Sequence, residues 1–236
     1  METSLPFRVV FEDQHLLVVE KPVGLVVHPV YKHPDGTLTD FVWAWCAERG
    51  LVRPWLLHRL DKDTSGLVLF AKSEHMLRMG TRQFEAHTII KHYVAVVWGT
   101  DLPDEGLIDV PLMRDPLDRR RVIVDAAGQS AQTRFAVSER WGDRALLRLW
   151  PITGRTHQLR AHLTHLGHPM VGDPVYALEY PAAPRLLLHA SSITLQVPVL
   201  GGARLRTFLA PLPLDFAIAG DSAHNREVTP RASCQS

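Results

Sequence analysis

Residues 58–66 read HRLDKDTSG and form a polar stretch, which an apolar stretch, LVLFA, follows at residues 67–71. The apolar residues predict a buried strand. The triplet TSG at residues 64–66 favours a tight turn in front of that strand, because hydroxyls and a glycine suit such a backbone. Asp61 therefore precedes a turn at a strand end, where a cleft can reach it. An aspartate there can serve as a nucleophile, a general base, a metal ligand or only a cap for the turn, and these residues alone leave all four open.

The spacing of apolar residues predicts the other elements. Short β-rich runs predict strands at residues 7–11, 16–19, 25–27, 93–98, 122–124, 133–137, 145–149, 186–197 and 205–209. Helical periodicity predicts helices over residues 37–50, from an N-cap at Ser73, and over residues 155–166. Residues 101–118 are rich in Pro and Asp and predict a long loop with little regular structure. Because strands outnumber helices and do not alternate regularly with them, the pattern favours an α+β fold around a mixed, mainly antiparallel sheet.

The chain contains no internal repeat, no Gly/Ser linker and no clear boundary. We therefore expect one domain over residues 1–219. Periodicity is lost from about Gly220, and residues 220–236 predict a disordered tail.

Composition narrows the protein class. The 236 residues are 46% hydrophobic and 22% charged, an ordinary globular balance. No apolar run approaches the ~20 residues of a membrane span, and the N-terminus has neither the basic nor the apolar part of a secretory signal. The two cysteines, Cys46 and Cys234, argue against a disulfide framework and favour a reducing cytoplasm.

The charge composition permits an RNA partner without requiring one. Net charge is only +1, whereas many nucleic-acid-binding domains are far more basic. Arginine nevertheless dominates the basic residues, and its planar fork of donors suits phosphates and bases. A biased genomic base composition would enrich arginine equally, so both explanations stay open.

The stretch at residues 58–66 resembles the signature of the RluA-like family of pseudouridine synthases. The matching positions are His58, Arg59, Leu60, Asp61, Thr64, Ser65 and Gly66. Further stretches agree with the family in the expected order: residues 11–29, residues 91–99 (KHYVAVVWG), residues 153–162 (TGRTHQLRAH) with 166–169 and 172–173, and residues 188–190 (LHA). The resemblance runs from about Phe7 to Phe216. Because little chain precedes Phe7, we expect the branch without an N-terminal RNA-binding module.

The resemblance implies a pseudouridine synthase catalytic domain that isomerises uridines in structured ribosomal or transfer RNA. It implies Asp61 as the catalytic nucleophile and Tyr93 as the residue that stacks on the target uracil. It also implies Arg155 and Leu188 as substrate-binding residues. No cofactor or metal is implied, because breaking an N-glycosidic bond and rejoining the base through carbon involves no redox step.

Arg160 is the expected charge partner of Asp61. Burial favours the neutral form of an aspartate, and a nearby arginine opposes this. On a helix, Arg160 falls away from the apolar side made by Leu159 and Leu163. An arginine there is otherwise only solvated. The resemblance favours the pairing with Asp61.

Arg59 and a basic segment are the expected RNA contacts. Arg59 stands two residues before Asp61, so in an extended segment both side chains point the same way. The resemblance suggests that Arg59 fills the gap left by a flipped uridine; the alternative is a phosphate contact. The segment at residues 113–121 either grips an RNA stem or is a solvated hairpin tip. Its arginines are Arg114, Arg119, Arg120 and Arg121.

Two other functions are weighed against this one. A metal enzyme would use the histidines His157, His162, His165 and His168, but His157 and His162 are five residues apart and so lie on different helix faces. A catalytically silent RNA-binding protein of the same fold is the second alternative, and the presence of Asp61, Tyr93 and Arg160 argues against it. We expect a cytoplasmic monomer with RNA as its partner, and neither a membrane nor a protein partner.

Overall fold

The computed structural model describes residues 5–217 and residue 219. The helices include α1 (Leu38–Glu48), α2 (Glu74–Glu85) and α3 (Gln158–His165), and residues 214–217 are also helical. The strands are β1 (Arg8–Glu12), β2 (Leu16–Lys21), β3 (Trp55–Leu56), β4 (Ser65–Ala71), β5 (Ile90–Trp98), β6 (Glu105–Asp109), β7 (Leu112–Arg114), β8 (Val122–Val124), β9 (Gln132–Trp141), β10 (Arg144–Pro151), β11 (Leu188–Val199) and β12 (Gly202–Leu209). The tail expected at residues 220–236 lies outside the described residues.

One large sheet organises the fold. Ten of the strands within the described residues pair in the order β1-β2-β4-β11-β5-β10-β9-β6, with β3 added beside β4 and β12 beside β11. The pairing of β4 with β11 is parallel and the other pairings are antiparallel. Strands β7 and β8 form a separate hairpin. The predicted α+β fold with a mainly antiparallel sheet is confirmed.

Strand β4 is the centre of one half of the molecule. All seven of its residues are buried, as the apolar run predicted. Because side chains alternate along a strand, Val68 and Phe70 pack with α1, while Leu67 and Leu69 pack with Met76 of α2. The Ser73 side chain accepts a hydrogen bond from the Met76 amide, so the predicted N-cap is confirmed.

The other half holds a second core between the sheet and α3. Leu159 and Leu163 of the helix pack against Leu147 and Leu149 of β10. Ala95 of β5 joins the same cluster. The two halves meet where β4, β11 and β5 lie side by side.

A close backbone approach joins β4 to β11. Gly66 has a φ of 115°, and a Cβ on it would lie 2.3 Å from the Ala190 carbonyl oxygen. Only glycine therefore permits the parallel contact of Ser65 with His189 and of Gly66 with Ala190. This contact brings the segment before β4, which carries Asp61, beside the start of β11, which carries Leu188.

Three sequence predictions about a strand, a loop and the start of a helix are wrong. Residues 25–27 are not a strand, because the Val26 and Val27 carbonyls accept hydrogen bonds from the first amides of α1. Residues 101–118 are not a long loop, because they contain β6 and β7. The third helix begins at Gln158 instead of residue 155, because His157 has a left-handed backbone with φ 52°.

No helix within residues 5–217 and 219 combines the length and apolar character needed to cross a membrane.

Candidate active site

Hydrogen bonds to the end of β2 and to the turn that follows β2 hold the backbone around Asp61. The Thr64 amide donates to the Asp61 carbonyl at 3.2 Å and closes a turn over residues 61–64; the turn predicted at residues 64–66 is wrong, because Ser65 and Gly66 already belong to β4. The Lys62 carbonyl accepts from the Gly24 amide and from Lys21 Nζ, both at 2.9 Å. Lys21 is fully buried, and its Nζ also donates to the Pro22 and Leu25 carbonyls. The Asp61 turn therefore has little freedom to move away from the sheet.

Lys21 is a buried base close to two carboxylates. Burial lowers its pKa to about 7, while the negative charges of Asp63 and Asp61 act in the opposite direction. The sequence analysis did not predict that Lys21 would lie in the active site. A lysine followed by proline at residues 21–22 gives no signal that the ammonium will lie under the Asp61 turn.

His58 anchors the other end of the same segment. Its Nε2 accepts a hydrogen bond from the Leu69 amide at 3.2 Å, and its ring lies 5.1 Å from that of Phe84. Burial lowers the pKa of His58 to about 3, and the positive charge of Lys91 adds to the effect. The imidazole is therefore neutral near pH 7, as its acceptor role requires.

Arg160 joins two carboxylates in the site. Its Nη1 lies 3.3 Å from Asp61 Oδ2, so the expected contact between these residues is present. Two shorter bonds connect it to Asp173, from Nε to Oδ2 at 2.7 Å and from Nη2 to Oδ1 at 2.8 Å. Arg160 is 3% exposed, so the solvated alternative is wrong. Burial opposes its charge, but the hydrogen bond and charge of Asp173, together with Asp61, raise the pKa of Arg160.

Asp173 is the functional neighbour that the sequence did not identify. Its carboxylate is fully buried, and Oδ1 also accepts from the Val175 and Tyr176 amides at 2.9 and 3.0 Å. The Gly-Asp pair at residues 172–173 belongs to the matched stretches. Nothing in the local pattern, however, indicates that this carboxylate turns back onto α3. A bidentate pair of this kind holds a guanidinium in a defined orientation.

His157 and Tyr176 complete the surroundings of Asp61. His157 Nε2 lies 3.7 Å from Asp61 Oδ2, and its Nδ1 lies 3.3 Å from the Tyr176 hydroxyl. Burial lowers the pKa of His157 despite the nearby negative charge of Asp61. The Tyr176 ring lies 5.1 Å from the guanidinium carbon of Arg160.

A cavity of about 360 Å³ contains the predicted site residues. Those that line it are Asp61, Tyr93, Arg160, Arg59, Arg155 and Leu188. Tyr93 is half-buried, and burial together with the Asp61 charge raises the pKa of its phenol, which is therefore protonated at neutral pH. Leu188 is 3% exposed and supplies an apolar wall. We call this cavity the Asp61 pocket.

Arg155 and Gln158 shape the rim of the Asp61 pocket. Arg155 is exposed, and its Nε donates to the Ser130 carbonyl at 3.1 Å. Gln158 is buried; its Oε1 accepts from Thr153 Oγ1 and the Arg155 amide, and its Nε2 donates to the Gln132 carbonyl. Gln158 thus holds the loop between β10 and α3, a role for which the sequence gave no signal.

The four arginines of the basic segment lie outside the Asp61 pocket. They line an adjoining groove of about 550 Å³, together with Arg59, Asp61 and Arg160. We call it the basic groove.

These four arginines differ in their partners. Arg120 bonds Asp118 through two nitrogens and lowers the pKa of that exposed carboxyl to about 2. The guanidinium carbon of Arg121 lies 5.5 Å from the Tyr176 ring. Arg114 and Arg119 are exposed and form no ion pair with any carboxylate in the described part of the chain. These two are the arginines of the segment most available to a ligand.

The histidines considered for a metal site do not converge. His162 contacts Thr133 Oγ1 and the Val110 carbonyl, and His168 Nδ1 contacts the Trp98 carbonyl. Of the four histidines, His157 alone lines the Asp61 pocket. No group of three His, Cys, Asp or Glu residues within the described chain is arranged to hold a metal ion.

Comparison with known proteins identifies relatives of this chain. The family model for RNA pseudouridylate synthase matches residues 15–165. An uncharacterized RNA pseudouridine synthase of Bacillus subtilis is 41% identical over 216 residues, covering 88% of this chain and 69% of the relative. A ribosomal large subunit pseudouridine synthase D of Nitrosomonas europaea is 38% identical over 224 residues, covering 91% of this chain and 64% of the relative.

Solved structures agree in fold. Human RNA pseudouridylate synthase domain containing 4 superposes with a TM-score of 0.73 at 25% identity, covering 89% of this chain and 90% of the human one. This chain therefore spans about two thirds of the length of the two bacterial relatives but nearly all of the human structure.

Proposed function

This chain belongs to the RNA pseudouridylate synthase family and is an isomerase of that class, and we propose that it converts uridines in structured RNA to pseudouridine with Asp61 as the nucleophile. The observation that carries the proposal is the position of the Asp61 carboxylate. It lies in a pocket of about 360 Å³, 3.3 Å from a buried guanidinium.

The arrangement around Asp61 supports the role of a nucleophile. The carboxylate is partly buried, with 23% of its side chain exposed, and Arg160 contacts it directly. Because Asp173 already bonds two nitrogens of Arg160, the guanidinium has a defined direction and presents Nη1 to Asp61. The carboxylate of Asp61 thus has a positively charged group in a fixed position beside it before the substrate arrives.

The reaction is redox-neutral and needs neither an oxidant nor a reductant. The N1–C1′ bond of uridine breaks, the uracil turns, and a C5–C1′ bond forms while C5 loses a proton and N1 gains one. Tyr93, neutral at pH 7, stacks on the uracil and retains it while it is detached. Leu188 and the other apolar atoms of the pocket keep water from the reacting carbon.

The RNA is proposed to enter along the basic groove. Arg59 lies where this groove meets the Asp61 pocket, since it lines both. This position suits a side chain that replaces a flipped uridine in its stack. Arg114 and Arg119 contact phosphates further along the groove, and Arg155 contacts the RNA at the pocket rim.

Ribosomal RNA is the substrate class that we propose first, because the relative from Nitrosomonas europaea is named a ribosomal large subunit enzyme. Transfer RNA is the second. A cytoplasmic location follows from either substrate. We propose that the enzyme acts as a monomer, because one chain supplies all the residues assigned to the pocket.

The test is the variant Asp61→Asn, incubated with RNA transcribed without modification and analysed for pseudouridine by mass spectrometry. The amide keeps the shape of the side chain and loses its nucleophilicity. We expect normal RNA binding and no pseudouridine. Asp104→Asn is the matched control, since Asp104 is 88% exposed and remote from the pocket lining, and it should react like the wild type.

Two outcomes would contradict the proposal. Turnover by Asp61→Asn at the wild-type level would remove the nucleophile assignment. A wild-type protein that binds RNA and forms no pseudouridine in ribosomal or transfer RNA would favour the silent RNA-binding alternative.

A further inference from the structure

A second groove adjoins the Asp61 pocket and has no role in the function proposed above. It has a volume of about 820 Å³, more than twice that of the pocket. Its walls come from the ends of β5, β6, β9 and β10 and from the residues around Ile152. We call it the Trp150 groove.

The side chains of this groove form a row across the sheet. Trp150 of β10 pairs in register with Arg134 of β9, which pairs with Leu107 of β6. Residues directly opposite each other in a sheet project from the same face, so the three side chains lie side by side. Arg148, two residues before Trp150, shares that face, and its guanidinium carbon lies 5.7 Å from the Trp150 ring. The row thus alternates aromatic, cationic and apolar groups.

The groove is positively charged and partly apolar. Arg134, Arg148 and Lys91 line it, and no ion pair occupies any of these three within the described residues. Glu105 is its one carboxylate among the lining residues. Ile90 and Leu107 are each 53% exposed, so the groove offers apolar surface beside these cations.

The Trp150 groove is continuous with the Asp61 pocket. Lys91 and Pro151 line both cavities, whereas the Trp150 groove and the basic groove share no lining residue. The Asp61 pocket therefore lies between two positively charged grooves. When one nucleotide of an RNA chain lies in the Asp61 pocket, the chain on each side of that nucleotide faces a positively charged groove.

We propose that the Trp150 groove binds unstacked nucleotides of the substrate RNA next to the target uridine, an inference that rests on the proposed function. Bases pack on Trp150 and the apolar walls, and phosphates contact Arg134, Arg148 and Lys91. Aromatic side chains interleaved with cations are the usual platform for single-stranded nucleic acid. The groove, at about 820 Å³, is larger than the pocket proposed to accept one uridine.

The test compares a short fluorescein-labelled ligand, uridine monophosphate, with a long one, an oligouridylate of 15 nucleotides, by fluorescence anisotropy between 50 and 200 mM KCl. The variant is Arg134→Gln with Arg148→Gln; both arginines are exposed, so folding is not at risk. The control is Arg78→Gln with Arg204→Gln, two exposed arginines outside both grooves and the pocket. The short ligand fills little more than the pocket, whereas the long one also reaches the groove.

For the 15-nucleotide RNA we expect the slope of log affinity against log salt to fall by about 1.4 in the variant, or about 0.7 for each lost phosphate contact with a single strand. The variant should keep the wild-type slope with uridine monophosphate, and the control variant should keep it with both ligands. Trp150→Ala should lower the affinity for the 15-nucleotide RNA about fivefold or more, because one base loses its stacking partner. Trp150→Phe keeps an aromatic ring and should recover most of that loss.

Equal slopes for the variant and the control on the long RNA would overturn the inference and leave the groove to a partner other than RNA. Equal losses on both ligands would also overturn it, because the arginines would then act within the Asp61 pocket. These binding results are independent of turnover. A failure of the proposed function is distinguishable, because it would appear as absent pseudouridine in the wild type whatever the groove variants do.

Discussion

Replacement of Asp173 by asparagine should distinguish the residue that holds Arg160 from Asp61, the proposed nucleophile. Asp173 accepts two hydrogen bonds from Arg160, at 2.7 and 2.8 Å, and its carboxylate is fully buried. Asp61 accepts only one, at 3.3 Å, and its side chain is partly exposed. An asparagine can accept only one of the two bonds and carries no charge. Arg160 would then be held by the weaker partner alone.

The magnitude follows from the burial of the pair. Removing one partner of a buried ion pair costs about 3–5 kcal/mol, because the other charge remains buried. Since Asp61 still contacts Arg160, we expect the lower end for Asp173→Asn, about 3 kcal/mol. Asp61→Asn leaves the bidentate pair intact and also removes one of two carboxylates that share a single guanidinium. We expect it to cost less than about 1 kcal/mol.

The assay is urea unfolding of both variants, with pseudouridine formation measured on the same samples. Asp173→Asn should lose stability and also lose turnover, because Nη1 no longer has a defined direction. Asp61→Asn should lose turnover alone. Asp215→Asn is the matched control: Asp215 also forms two bonds to an arginine, Arg185, but its side chain is 42% exposed and its loss should cost below about 1 kcal/mol.

Equal losses of stability for Asp173→Asn and Asp61→Asn would refute this reasoning. The same holds if Asp173→Asn keeps wild-type turnover, since Arg160 would then need no positioning.

Four further predictions concern the same site. Arg160→Met should reduce turnover and cost about 3–5 kcal/mol by urea unfolding, because it leaves two carboxylates without their cation; an unchanged rate with an unchanged pH profile would exclude Arg160 as the charge partner of Asp61. Arg59→Ala should slow single-turnover reaction on a folded stem-loop far more than on its unpaired counterpart, where flipping avoids the few kcal/mol of unstacking; equal losses on the two RNAs would indicate a phosphate contact. Arg114→Gln with Arg119→Gln should reduce the salt slope of stem-loop binding by about 0.7–0.9 per contact, without altering the rate on a saturated complex; a wild-type slope would indicate a solvated hairpin tip. The folded-state pKa of His58, about 3, lies below its unfolded value, so the unfolded chain binds more protons between these values and stability falls as pH drops from about 6.5 toward 3. Urea unfolding at pH 7, 5.5 and 4.5 should show the wild type losing up to about 1.4 kcal/mol per pH unit relative to His58→Gln, and parallel curves would contradict this assignment.

The parts of the fold that the sequence predicted are those whose signal is local. Strand β4 is a continuous apolar run because both of its faces are covered, and α1 and α2 follow from apolar spacing and an N-cap. Strand β6 was missed because it lies at the sheet edge and contains Asp, Glu and Gly, which are poor strand formers; its pairing with β9 overrides that preference.

In the active site, too, the features with a local sequence signal were predicted and the others were not. The signature at residues 58–66 indicated Asp61, and the other matched stretches indicated Tyr93, Arg160, Arg155 and Leu188, all of which line one pocket. The partners of the arginines did not follow from the sequence. Arg120 is bonded to Asp118 of its own hairpin, while Arg114 and Arg119 are free of carboxylate partners in the described chain.

The sequence by itself thus indicated the residues that we propose to carry the chemistry and most segments that form the core, because both depend on residue type and short-range spacing. Only the tertiary structure decided that Asp173 orients Arg160, that Lys21 supports the Asp61 turn, and that Trp150 and Arg134 share one face. The physical reason is that a buried charge bonds whichever group the fold brings within about 3 Å of it. Which group that is depends on strand order and register, since residues far apart in the chain become neighbours only when the sheet is assembled.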